Sequence, residues 1–494
     1  MRRPLPIFYN ALLLTGVNLL LRLVSTIFQV YLSGRIGAAG IGLLQLTLSV
    51  GAMSMTAGIA GIRTATMYLT AEELGKRRPG NVIWVLSGSI LYSILCSGAV
   101  ALCLYHLAPT LASGWIGAAE ATDSLRLLAS FLPVSCLCGV MTGYFIAANR
   151  ISTLAAVEVA EQFCSICITV IALGLWAGND RSKACQSVIL GSCAGSVLTL
   201  SCLVILRLRE RSPRGIPISI RKRLMDTAVP LALADDLKTG INTIENLMVP
   251  KRLSLFHGAS DPLALFGTVC GMVFPVLMFP AALLFGLTEL LIPELARCNA
   301  AGSRKRIDYL MHRSLRLACL YGTICSSILF LIAPELCQSL YGSTEAGTYL
   351  RWFSILAVML YCDIITDSMI KGLGQQKASV RYNILTSTLD VIFLYLLLPR
   401  YGILGYFLSF LVTHVINFIL SLRRLLKITK GKLSYTTPAL MVLAALICIW
   451  AASHLTSPWL RAFAFLPMFL SLLFLTGVLT KHDIHWIKKL LQGI

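Results

Sequence analysis

Asp235, Lys238, Asn242 and Glu245 stand at i, i+3, i+7 and i+10 in an otherwise apolar stretch, DTAVPLALADDLKTGINTIE, at residues 226–245. At 100° per residue they fall within roughly 80° of one another. Asp236 adds another charge beside them. A charged side chain at mid-bilayer costs about 3 kcal/mol on insertion scales, so this face is expected to avoid lipid. It must line a water-filled cavity or pair with other helices. The chemistry it offers is passage of something polar or charged. A second set, Asn18, Arg22, Ser25 and Gln29, follows i, i+4, i+7, i+11 and shares a face near the N-terminus. Arg22 lies about 14 residues into its span, near 21 Å along the axis, too deep for easy snorkelling. Lys238 is equally deep in its own. Two deep cations make an anion-binding cavity; the alternative is structural ion pairing, with Lys238 satisfied by Asp235 or Glu245. Arg63 is a third candidate, although it sits about nine residues from a basic loop and can reach toward headgroups.

The carboxylates are candidates for coupling or gating. Asp235, Asp236 and Glu245 lie beside Lys238. Asp363 and Asp367 stand at i and i+4 with Lys371 at i+8, so Lys371 can neutralise one of them. Glu158, Glu161 and Asp390 are further acids within apolar segments. A coupling ion or proton needs such groups. No G-x-x-x-x-G-K loop, no H-E-x-x-H and no soluble domain large enough for nucleotide hydrolysis is found, so the expectation is no enzyme, no cofactor and no metal. Cys136/Cys138 and Cys164/Cys167 lie inside apolar segments without partners at zinc spacing, and are read as inert.

The elements that position these residues follow from composition. The chain has 494 residues, 57% hydrophobic and 13% charged, which fits no soluble class. The expectation is an all-α polytopic membrane protein of about fourteen transmembrane helices. These run at roughly 7–33, 38–70, 82–107, 124–148, 152–177, 184–208, 224–250, 263–295, 307–333, 349–371, 378–398, 402–425, 435–455 and 459–480. Pro275 and Pro280 should kink the eighth. The net charge of +20 is not a nucleic-acid signal, because about 28 of the 42 basic residues fall in alternate loops that become cytoplasmic when the N-terminus is inside. Both termini are then cytoplasmic.

The chain also repeats. TGVN at Thr15–Asn18 returns as TGIN at Thr239–Asn242, and Thr142 returns as Thr366, both 224 residues later. Two matches at one offset, six spans apart, indicate a duplicated six-helix unit with an axis along the membrane normal. The layout expected is a first lobe over 1–210, a basic inner linker over 211–223, a second pseudo-symmetric lobe over 224–432, two further helices over 433–480, and an amphipathic inner-surface tail over 481–494.

The run AVPLALADDLKTGINTIENLMVPKRL, followed by LFGTVCGMVFPVLMFPAALLFGLTELLIPEL, resembles the stage V sporulation protein B family. These are polysaccharide-biosynthesis flippases of the multidrug/oligosaccharidyl-lipid/polysaccharide exporter superfamily. The resemblance is detailed over Val229–Leu295 and extends to the whole chain in span count. It implies alternating access in a bacterial cytoplasmic membrane, moving a saccharide on a polyprenyl pyrophosphate, such as the peptidoglycan precursor lipid II, from inner to outer leaflet. It implies roles in cell-wall synthesis or sporulation, and a lipid groove walled by spans 13 and 14. The site expected is Arg22, Arg63 and Lys238 on pyrophosphate, with Asn18, Gln29 and Asn242 on sugar or water. Arg binds phosphate oxygens through a planar fork and Lys as a point charge. Implied partners are the lipid-linked saccharide, membrane lipid, a coupling ion (sodium or proton) or the membrane potential, and wall-synthesis proteins, with no nucleic acid. The Asp235–Lys238 cluster is more charged than the family leads one to expect. The alternatives are a cation-coupled multidrug exporter of the same fold, a membrane-embedded glycan enzyme, and a non-transporting scaffold of a wall-synthesis complex.

Overall fold

The computed structural model describes residues 5–178, 180–210, 221–258, 260–431 and 436–479; the side chains of residues 5–15, 18, 221, 230, 231 and 234 are not described. The linker core at 211–220 and the tail at 481–494 lie outside the described residues. Every described element is helical. In a bilayer this follows from hydrogen bonding, since an α-helix satisfies its backbone groups within one segment.

The chain forms two compact units. The first comprises Met1–Gly271 with Val391–Gly405, the second Met272–Asp390 with Tyr406–Ile494. In the first unit, α1 (Leu5–Ile59), α2 (Ile62–Gly75), α3 (Val82–Thr110), α4 (Thr122–Ala147), α5 (Ile151–Ala172) and α6 (Arg181–Leu208) are joined by α7 (Arg221–Leu253) and α8 (Pro262–Thr268). In the second unit, α9 (Phe274–Met278), α10 (Ala281–Ala300), α11 (Arg304–Tyr341), α12 (Thr344–Ser354) and α13 (Ala357–Gly372) are followed by α14 (Gln376–Tyr401), whose last turns belong to the first unit. Then come α15 (Ile403–Thr429), α16 (Thr436–Ser453) and α17 (Pro458–Leu475). Caps fix several starts. Asp180 accepts from Ser182 N at 2.9 Å, Asp261 from Ala264 N at 3.0 Å and Ser343 from Ala346 N at 3.1 Å.

Among the described residues, ten helices are long and apolar enough to cross a membrane, or up to twelve if each of two bent pairs is one span. The protein is thus a multi-pass membrane protein. Two differences separate this from fourteen spans. α1 is two helical stretches that meet at a kink at Gly37 (φ 69°), between the first two expected spans, yet it stands as one run among the ten, and the helix breaks again at Ala60–Gly61, inside the expected second span. α7 is not among the ten, because its charges lower its apolarity. The bent pairs turn by 59° between Met278 and Ala281, at Pro280, and by 53° between α12 and α13. Pro280 cannot donate to the ladder, so the helix bends there.

In the first unit, Ile62, Leu69, Val85, Phe145, Leu203 and Ala228 bury together from five helices. A second cluster gathers Leu32, Ile41, Leu44, Leu173 and Ile189. In the second unit, Phe274 meets Phe353 at 5.3 Å and Phe410 at 5.2 Å, an aromatic centre that Tyr406 extends. All sixteen cysteines are unbridged.

Candidate functional site

α7 is held along its length within the first unit. At one end Arg223 reaches Glu72 Oε2 at 2.6 Å and Glu73 Oε1 at 3.1 Å on α2. Glu73 also accepts from Asn81 Nδ2 at 3.0 Å, and Lys76 pairs with Glu72 at 2.5 Å. Gly61 (φ 71°) then lets the backbones touch; a Cβ there would lie 2.3 Å from the Ala228 carbonyl oxygen. Further along, Thr56 donates to Thr239 at 3.4 Å, Thr243 donates to the Ser49 carbonyl at 3.1 Å, and Asn246 Nδ2 donates to Ser49 Oγ at 3.0 Å. At the other end Lys251 donates to the Gly114 carbonyl.

This polar seam orients the charged residues. Thr239, Thr243 and Asn246 form one face. The mean direction of Asp235, Lys238, Asn242 and Glu245 lies roughly 90° further round, at 100° per residue. Asp235, Lys238 and Asn242 are exposed and Glu245 is half-buried with interactions of its own. Asp236 parts from Asp235. It is half-buried, close enough to Tyr92 of α3 to act on it electrostatically, and its Oδ1 is buried without a hydrogen-bond donor among the described residues.

Arg22 on α1 is half-buried and has interactions of its own; its carbonyl accepts from Thr26 at 2.9 Å. Gln29 donates to the Gly271 carbonyl at 3.1 Å, a carbonyl within the π-turn Val269–Val273 that follows α8. Asn18 lies on α1, its side chain outside those described. Arg63, in the first turn of α2, is exposed, and its charge acts on Glu158 of α5. Its backbone sits on a glycine step of α4, where a Cβ at Gly143 would lie 2.4 Å from the Arg63 carbonyl oxygen. Small residues at such crossings allow close helix approach. Glu161, one turn from Glu158, accepts from Thr199 at 2.7 Å.

In the second unit, Asp363 and Asp367 have different surroundings. Asp367 pairs with Lys371 at 2.6 Å and accepts from Ser379. Asp363 Oδ2 accepts from Asn417 Nδ2 at 2.9 Å, and Asn417 also reaches Asn383 Oδ1 at 3.4 Å. Asp363 Oδ1 and Asn417 Oδ1 are both buried without a donor among the described residues. Asp390 is buried and accepts from Ser409 at 2.5 Å and Thr413 at 3.3 Å. Among the described residues no three His, Cys, Asp or Glu side chains gather at metal distance.

Sequence reasoning missed Asn383, Asn417 and the Ser49–Asn246 seam. Amides within apolar runs were the available signal; their partners, on other helices, were not. It also missed the Arg223–Glu72–Glu73 group. Glu73 is 2% exposed, and removing Arg223 leaves it with Asn81 alone, a costly arrangement for a buried carboxylate. Arg223→Ala should therefore lower the thermal unfolding midpoint in detergent. In a cycle with Glu73→Gln the pair should couple by about 1 kcal/mol or more. Strict additivity of the two substitutions would contradict the contact.

A family model described as lipid II flippase MurJ matches residues 71–472. Stage V sporulation protein B of Bacillus subtilis (strain 168) is 21% identical over 477 residues, covering 90% of this chain and 88% of that protein. The solved structure of a lipid II flippase MurJ in an inward closed conformation superposes with a TM-score of 0.70 at 12% identity, over 93% of this chain and 98% of the other. An inward-facing multidrug resistance transporter of the MATE family, in the MOP superfamily, gives 0.68 at 15% identity, over 85% and 100%. At these identities the two structures speak for the fold.

Proposed function

This chain belongs to the lipid II flippase MurJ family and moves a lipid-linked precursor across the membrane, and from that premise we propose that its cargo is a polyprenyl-pyrophosphate saccharide of the lipid II type. The family match over residues 71–472 carries the reading. Transport runs from inner to outer leaflet of a bacterial cytoplasmic membrane, by alternating access of two lobes with both termini cytoplasmic. The pyrophosphate has two or more negative charges and cannot cross hydrocarbon unaided. Arg22, Arg63 and Lys238 would receive it in a wet cavity. Asn18 and Asn242 would meet sugar or ordered water. Gln29 is the weakest of the set, because its amide already serves the Gly271 carbonyl.

Asp235, exposed beside Lys238, would compete with the anionic head for that cation and so help release it. Asp236 and Glu245 would gate from the half-buried sides of α7. For coupling, Asp363 is a stronger candidate than Asp367, whose oxygens are both engaged. The two donor-less oxygens on Asp363 and Asn417 are what a proton or small cation would satisfy. Wall-synthesis proteins are expected partners in the same membrane.

Reconstitution tests this. Liposomes carrying labelled lipid II on the inner leaflet, read from outside, should show protein-dependent exchange. The rate should respond to a sodium or proton gradient or to a membrane potential. No exchange under any of these conditions would remove lipid II as the cargo. Export of a cationic drug by the same vesicles would favour the multidrug alternative.

A further inference from the structure

α7 carries cations at three levels. Arg223 stands in its first turn, Lys238 near its middle, and Lys251 with Arg252 in its last turn. From Arg223 to Lys251 is about 42 Å along the helix at 1.5 Å per residue, and a bilayer with its headgroup regions measures about 40–45 Å. Lys238 lies about 20 Å short of Lys251. The two ends of α7 therefore stand at the two phosphate levels. In the orientation proposed above, Lys251 and Arg252 are at the outer one.

Adjacent cations are out of place on that side, where the positive-inside rule keeps basic residues few. Their partners are neutral. Lys251 donates to the carbonyl of Gly114, in the π-turn Leu111–Ile116 that follows α3. Arg252 donates through two nitrogens to the Tyr395 carbonyl, at 3.2 and 3.0 Å, and its guanidinium carbon lies 3.6 Å from the Tyr395 ring centroid. Among the described residues neither cation meets a carboxylate. The next acid along the chain, Asp261, is turned to the start of α8, where it accepts from Leu263 N at 3.1 Å and Ala264 N at 3.0 Å. The dipole of α7 favours cations at its C-terminus, but the helix's own last carbonyls would serve that purpose. These two side chains reach other elements instead.

A carbonyl offers each cation a neutral acceptor. A phosphate offers acceptors of opposite charge, with two oxygens spaced for a guanidinium fork. Lys251 is exposed and Arg252 half-buried, so an anion can reach both. We infer that Lys251 and Arg252 form an exit site for the pyrophosphate head of the cargo, which they receive after it leaves the level of Lys238. The inference rests on the cargo reading above. Receiving the head exchanges the Gly114 and Tyr395 carbonyls for phosphate oxygens. The outer end of α7 is then released from the turn after α3 and from the last turns of α14 only when an anion has arrived.

The test is photo-crosslinking in phosphatidylcholine vesicles. A benzophenone side chain replaces Leu255, which is exposed one turn beyond Lys251, and light should couple labelled lipid II to the chain. Lys251→Gln/Arg252→Gln keeps an amide donor for each carbonyl and removes both charges. It should lower coupling and lipid II exchange about tenfold, the factor expected of one charge-assisted contact. Tyr395→Leu removes the ring beneath Arg252 and keeps both charges, so it should retain coupling. Equal losses in Tyr395→Leu and the glutamine pair would make these cations a structural latch and overturn the site. Phosphatidylglycerol added to the vesicles should leave coupling intact; abolished coupling would give the site to a resident phospholipid. Exchange without coupling at position 255 would overturn this inference alone. No exchange by the unsubstituted chain would overturn the cargo reading and this inference with it.

Discussion

Replacing Arg22 and Arg63 together by alanine should reduce lipid II exchange in liposomes by about a hundredfold or more. Each guanidinium can make charge-assisted hydrogen bonds to phosphate, worth about 1.5–3 kcal/mol apiece, or roughly one to two decades. The pair should exceed either single substitution. Arg22→Lys should retain part of the activity, because a point charge replaces a fork. Arg63 needs a further control, since its charge already acts on Glu158. If Arg63 only neutralised that carboxylate, Arg63→Ala/Glu158→Gln would regain full exchange. If Arg63 holds the cargo, the second substitution rescues nothing. Wild-type exchange in the Arg22→Ala/Arg63→Ala protein would move the anion site toward Lys238.

The second large effect is expected at the crossing of α1 and α8, where three glycines meet. A Cβ at Gly267 would lie 2.0 Å from the Ala38 carbonyl oxygen, and one at Gly42 would lie 2.2 Å from that of Leu263. One at Gly271 would lie 1.9 Å from Ile41 Cγ2. Backbone atoms cannot rotate away as side chains do, so even one methyl group must push the helices apart. Gly267→Ala should cost about 3 kcal/mol, at the upper end of overpacking penalties, read as a lowered unfolding midpoint in detergent. Gly240 in α7 is the internal comparison. A Cβ there meets nothing within 4 Å, so Gly240→Ala should be neutral or stabilising by about 0.5–1 kcal/mol. Equal stability of the Gly267 and Gly240 variants would refute the crossing.

The membrane class, the all-helical fold and the family were legible because each rests on a local property. Long apolar runs, the basic bias of alternate loops and the charged stretch around Lys238 are all visible without knowing any contact. The bend at Pro280 was legible for the same reason, since a missing N–H is written in the residue itself. The kink at Gly37 also falls between the first two expected spans. The break at Ala60–Gly61 was not legible; there the Gly61 backbone meets the Ala228 carbonyl. That contact belongs to the crossing helix.

The candidate site divides along the same line. Spacing gives each residue its angle about its own helix and nothing about the neighbour at that angle. Asp235 and Asp236 are adjacent in sequence, but the seam turns one outward and the other toward Tyr92. Asp363 and Asp367 share a face by spacing. Lys371 and Ser379 engage Asp367, while Asp363 depends on Asn417, fifty-four residues away. Gln29 looked like an equal of Arg22 until the π-turn after α8 gave its amide a carbonyl to serve.

The polar seam on α7 also bears on how the chain is made. Too charged to stand among the ten apolar helices, α7 would gain little by leaving the insertion machinery alone. Ser49, Thr56 and Glu72 are synthesised well before Asn246, Thr239 and Arg223, their partners on α7. Since folding during synthesis proceeds from the N-terminal side, the early helices can stand ready as a template that accepts α7's polar face as it emerges. The ribosome's direction and the order of the helices then agree. A rearranged gene that placed α7 ahead of α1 would ask the membrane to accept a helix before anything was there to receive it.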